Sequence, residues 1–218
     1  MGVQPEIPER DYRPIQPEPA WRSVLRKIWA PIAVIAGLAV KFGFAFAKFA
    51  TVFVAVAGYA LLWGWKFGVG IVALIFVHEL GHWVEARRRG FNAAWPVFIP
   101  FLGAYVAIRD ARMSPWQSYW ISIAGPLWGS VGALLLWAVG EQQSSHLLQA
   151  LGYVGFLLNL FNLLPVGFLD GGSIWRAIKT MRLGGTPGKA NVATLVYGTL
   201  AALLVLGMFF AHVSQHRV

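Results

Sequence analysis

From Phe49 onward the chain is built of long apolar runs separated by short basic or broken segments. The runs cover residues 49–64, 67–86, 117–139, 147–169 and 191–211. Arg87-Arg88-Arg89-Gly90 closes the second, Arg109 and Arg112 precede the third, and Arg176, Lys179 and Arg182 follow the fourth. A hydrocarbon core takes about 20 apolar residues per helix, so each run is read as a span, the first of them short. Residues 21–48 are mixed. Arg22, Arg26 and Lys27 open the stretch, and Lys41 and Lys48 interrupt its apolar part, which predicts an interfacial or re-entrant helix. Residues 1–20 are polar, carry Pro5, Pro8, Pro14, Pro17 and Pro19, and lack the apolar segment of a signal peptide; they read as a disordered tail. Residues 91–108 hold Pro96, Pro100 and Gly103 in an apolar context. That is too broken for a helix and predicts a short hairpin or re-entrant loop, tolerated at membrane depth only against protein or a wet cavity. The expected fold is an all-α multi-pass membrane protein of about five to six membrane helices with one such membrane-embedded element. Its parts are a tail (1–20), an interfacial or re-entrant helix (21–48), a core (49–180) and a last membrane helix with a tail (181–218).

Composition agrees. Hydrophobic residues make up 57% of the 218 and charged ones only 12%, about half the charge of a soluble domain. The net charge of +9 sits in short clusters between the runs and comes with no nucleic-acid-binding motif. It reads as an orientation signal and a contact with lipid headgroups. The clusters at Arg87 to Arg89, at Arg109 with Arg112 and from Arg176 to Lys189 fall on one side if the spans alternate; Glu141 to Gln149, on the other side, has no Lys or Arg. The basic side is then cytoplasmic, the amino end with it. With no cysteine, thiolate metal sites, disulfides and cysteine nucleophiles are excluded.

The chemistry is concentrated in His78-Glu79-Leu80-Gly81-His82, inside the second run. Residues four apart on a helix differ by ~40° in azimuth and ~6 Å in height, so both imidazoles can reach one metal ion. Glu79 stands beside them, placed to take a proton from a zinc-bound water whose pKa the metal lowers toward ~7. A chance pair or two hydrogen-bonded core histidines are the bland alternatives, but ionisable groups at membrane depth are costly and mark function by default. A catalytic zinc usually takes a third protein ligand. Of the nine acidic residues, Glu6, Glu9, Asp11 and Glu18 are in the tail, and Asp110 and Glu141 are in loops. Glu85 lies ~10 Å along the helix from His78, too far to share an ion, and is expected to pair with Arg88 or Arg89. Asp170 remains, at the end of a run broken by Pro165 and Gly167, with Gly171-Gly172 permitting close backbone approach. Its depth matches that of the histidines; capping of a helix over Ser173 to Met181 is the other role open to it. Asn159 and Asn162 are amides in an apolar run that can bond between helices, and Asn162 can instead hold substrate or an oxyanion. The small-residue stretch Ala124-Gly125-Pro126-Leu127-Trp128-Gly129-Ser130 is read as a site of close helix packing.

Two motifs together resemble the site-two protease family of intramembrane metalloproteases: His78 to His82, and Asn162-x-x-Pro165 running into Leu169-Asp170-Gly171. Phe98 to Gly103 and Ala124-Gly125-Pro126 also look like features of that family, so the resemblance covers roughly residues 49–180. It implies one Zn2+ per chain held by His78, His82 and Asp170, with Glu79 as general base and acid. It implies substrate contacts by Asn162 and by the Phe98 and Gly103 loop, the membrane-embedded hairpin that can pair with an unwound strand. It implies cleavage of membrane-spanning segments by zinc-activated water. Its substrates would be single-span membrane proteins or signal-peptide remnants. The chain departs from the family where an Asn often follows the Gly-Pro pair; here Gly129 and Ser130 follow. No inserted PDZ-like domain and no appended regulatory domain is evident, so a minimal core is expected. A zinc-binding scaffold or transporter is the reading from another class; a transporter would spread its polar residues along a path rather than gather them at one point.

Overall fold

A computed structural model of the chain describes residues 20–99, 103–108 and 113–215. The expected tail lies outside these residues but for Ala20, as do Pro100, Arg109, Asp110, Arg112 and His216. The chain divides into two compact units, one ending at Phe46 and the other starting at Ala47.

Helix α1 runs unbroken over Ala20–Trp63, 44 residues, where the apolar pattern had predicted a mixed helix and then a separate run. Lys41 and Lys48 interrupt the hydrophobic pattern, but a backbone ladder is indifferent to that. Gly64 then turns the chain with φ at +84°, a conformation that costs glycine little, and α2 (Trp65–Arg88) starts at the next residue. Strands β1 (Val97–Ile99) and β2 (Gly103–Tyr105) form an antiparallel hairpin with Phe98 opposite Ala104, extended by a bridge between Ala93 and Ile108. Helix α3 (Pro115–Gln142) opens on a capping box between Ser114 and Gln117, with Pro115 in the first turn. Helices α4 (His146–Asn162), α5 (Asp170–Leu183) and α6 (Pro187–Gln215) follow.

Within the second unit α3 is the central post, packed against α2, α4, α5 and α6. The core joins Tyr119, Ile123 and Ala133 of α3 to Leu74 of α2, Phe156 of α4, Ile174 of α5 and Leu204 of α6. The Tyr119 hydroxyl, unable to leave its phenol end unpaired in that core, donates to the Ala193 carbonyl at 2.9 Å.

Among the described residues three helices, α2, α3 and α6, are long and apolar enough to cross a membrane. Their outer faces are also apolar: Leu134, Leu135, Leu203, Leu206 and Phe209 are all exposed. Surface of that extent is unfavourable in water and neutral against lipid tails, as in a multi-pass membrane protein. The count is below the five to six expected, for local reasons. The fourth apolar run keeps its helix only to Asn162, 17 residues, because the chain breaks ahead of Pro165. Helix α5 is 14 residues long and carries Arg176, Lys179 and Arg182. Among the described residues the apolar stretch of α1 over Ala50–Trp63 is shorter than a full span.

Candidate metal centre

Helix α2 presents His78, Glu79 and His82 inward, all nearly buried. It can do so because it lies backbone to backbone on α3: a Cβ on Gly81 would overlap the Ala124 carbonyl, and a Cβ on Gly125 would overlap the His82 ring. The small residues flanking Pro126 are therefore the space into which the histidine fits.

Each imidazole is held by its Nδ1. His82 Nδ1–H donates to the Ile121 carbonyl at 2.7 Å, and His78 Nδ1–H donates to Asn159 Oδ1 at 2.8 Å. With both Nδ1 atoms protonated, both Nε2 atoms carry lone pairs, and these face each other 3.2 Å apart. Asp170 Oδ2 completes the triangle, 3.1 Å from His78 Nε2 and 3.2 Å from His82 Nε2. Three acceptor atoms converge with no donor among them. A tetrahedral ion with bonds of ~2.0–2.1 Å sets its donors ~3.3 Å apart, so two nitrogens and one carboxylate oxygen at this spacing fit a zinc-like cation with one open position. A carboxylate oxygen of Glu79 lies within 4.8 Å of candidate donor nitrogens of both imidazoles, near enough to reach a water on that ion.

Asp170 arrives from the other end of the chain. After Asn162 the backbone turns through residues 163–169, and Gly171 and Gly172 tuck so closely under Leu163 and Val166 that a Cβ on either would overlap a carbonyl. Arg176 braces the turn by donating to the Gly167 carbonyl at 3.1 Å. Helix α5 begins at Asp170 itself, not at Ser173, and Leu169 occupies the cap position without a side-chain cap. The Asp170 carboxylate thus sits in the first turn, where the helix dipole favours negative charge, and turns toward the histidines.

His78, Glu79, His82, Asn162 and Asp170 all border one cavity of about 620 Å³. Asn162 donates through Nδ2 to the Leu158 carbonyl at 3.1 Å. The hairpin contributes Ala104, Tyr105 and Val106, and Phe168 stands at the margin, 85% exposed. Phe98 does not line this cavity: it is buried against Phe76, with its backbone N–H donating to Thr51 Oγ1 at 3.3 Å. Glu85 pairs with Arg89 at 2.6 Å, as its place at the helix end predicted. His146 and His212 are exposed, away from the centre. Sequence reasoning left Asn159 without a defined partner and had no access to the Ile121 carbonyl. The first was signalled by an amide in an apolar helix, and the second is a backbone group that no residue identity announces.

The profile of Peptidase family M50 matches residues 66–144 and 138–207. The chain is 31% identical to Rip3 of Mycobacterium tuberculosis over 168 residues, 72% of this chain and 42% of that protein. It is 31% identical to sll0528 of Synechocystis over 123 residues, 52% of this chain and 32% of the relative. To zinc metalloprotease MJ0392 of Methanocaldococcus jannaschii it is 27% identical over 188 residues, 79% and 54% of the two lengths. The chain therefore spans between 32% and 54% of the length of these curated relatives.

Proposed function

The chain belongs to Peptidase family M50, and from that premise we propose that it is a zinc-dependent intramembrane endopeptidase cutting membrane-spanning segments of other membrane proteins. The observation that carries the proposal is the acceptor triangle of His78, His82 and Asp170 with Glu79 beside it, the two histidines and Glu79 set in the apolar helix α2. His78, His82 and Asp170 hold the zinc ion, one per chain. When bound, zinc supplies Lewis acidity, which activates water near neutral pH and polarises a carbonyl. Glu79 takes the proton of the attacking water and hands it to the leaving amine. Burial of Glu79 excludes bulk water from that transfer. Asn162, on the cavity wall 8 positions before Asp170, is placed to hold the substrate backbone or the developing oxyanion by exchanging its bond to Leu158.

The substrate class follows from the surroundings. The cavity opens between apolar helices and the hairpin, so the segment that enters is apolar and must be locally unwound to expose a carbonyl. Single-span membrane proteins and signal-peptide remnants meet both conditions. The hairpin can receive an unwound strand by edge pairing, with β2 nearest the centre. Residues 49–180 form the protease core and 181–218 the last membrane helix and its tail, with 21–48 as an interfacial part of α1 following a tail over 1–20. Arg87 to Arg89 and Arg176 to Lys189 orient the basic loops, and with them the zinc centre, toward the cytoplasm.

The test is Glu79→Gln in detergent or liposomes with a single-span substrate. The variant is expected to keep its zinc and lose cleavage by about 10²–10⁴-fold, the range of general acid–base catalysis. Undiminished cleavage by Glu79→Gln would remove the mechanism.

A further inference from the structure

We propose that Asn159 is a positioning residue that sets the tautomer and orientation of His78 and so tunes the affinity of the metal centre, an inference that rests on the zinc reading above. The two histidines are held differently. His82 leans on the Ile121 carbonyl, a backbone group that no substitution removes. His78 depends on a side chain, the Asn159 amide, whose Oδ1 accepts the His78 Nδ1 proton at 2.8 Å. That amide is itself locked. Its Nδ2 donates to the Gly155 carbonyl at 2.7 Å, which leaves only the oxygen to face His78. The residue is 3% exposed, and its amide lies so close to Gly129 of α3 that a Cβ there would overlap Oδ1. Gly129 is thus the hole in α3 that lets an α4 amide reach a histidine of α2.

An accepted Nδ1 proton leaves Nε2 as a lone-pair donor aimed at the acceptor triangle and raises its basicity. Asn159 borders the cavity but reaches the metal only through His78.

The experiment is a zinc-affinity measurement by chelator competition on the purified full chain, for wild type, Asn159→Leu and Asn159→Asp, with helicity followed by circular dichroism. Leu keeps the shape and removes the acceptor; zinc is expected to bind about 10–100-fold more weakly, the usual size of such an effect. Asp keeps the acceptor, and its affinity is expected to match or exceed that of wild type. A packing role alone predicts the reverse order, because a buried carboxylate disturbs a helix interface more than an apolar isostere does. Wild-type affinity in Asn159→Leu, or weaker binding in Asn159→Asp than in Asn159→Leu, overturns the inference. Absence of zinc binding in wild type would instead overturn the function on which it rests.

Discussion

The two walls of the cavity are built to different tolerances. On the metal side, α2, α3 and α4 meet through glycine contacts: Gly81 against Ala124, Gly125 against the His82 ring, and Gly129 against Asn159. Each imidazole there has a partner that fixes its Nδ1. On the facing side stand two three-residue strands, with Tyr105 63% exposed, and the turn over residues 163–169, with Phe168 85% exposed. The difference matches the tasks that the proposed function gives the two sides. A metal centre must hold its donors to within tenths of an ångström, and close-packed helices resist displacement. A wall that admits segments of differing sequence gains from short elements with few neighbours, which open at low cost. Under the proposed function, placement and capture would fall to separate parts of one core.

Substitutions on the two walls should therefore separate chemistry from capture, and Glu79→Gln, with the loss of cleavage given above, has the largest effect. Next is Gly125→Ala. Its methyl group cannot coexist with the His82 ring in place, so zinc affinity should fall on the order of 10–100-fold, as for loss of an orienting partner, with cleavage following. Normal zinc content and affinity in that variant would break the claim that the metal wall has no slack. The smallest effect is expected from Tyr105→Ala on the facing wall. Zinc affinity should be unchanged, and the loss, roughly that of one buried side-chain contact at 10-fold or less, should appear in KM more than in kcat. A drop in kcat with unchanged KM would place Tyr105 in the chemistry and erase the contrast.

Legibility in the sequence followed the same division. His78, Glu79 and His82 stood out as candidates because a single helix carries them at a spacing that local geometry interprets, and Asp170 because so few acids lie in apolar surroundings; the structure brings all four to one cavity. The membership that two motifs predicted is borne out by the M50 match. The hairpin over 91–108 was legible from its Pro and Gly breaks, and the structure shows a hairpin there. The Asn159–His78 bond was not legible, since it needs the crossing of α4 over α2, and Gly129 looked only like a departure from the family pattern. Nor was the continuity of α1 legible, because hydropathy follows lipid and water rather than the backbone ladder. The end of α4 at Asn162 was misplaced for a related reason: the apolar run continues to Leu169, past the residues that stop the helix.

The most direct test of the central claim is the zinc content of detergent-purified wild type beside Asp170→Ala and His82→Ala. The account predicts about one zinc per chain in wild type, lost or strongly weakened in both variants, because each removes one corner of the acceptor triangle. Full zinc retention in Asp170→Ala would contradict it: the third corner would lie elsewhere, and the joining of the two motifs into one site would fail.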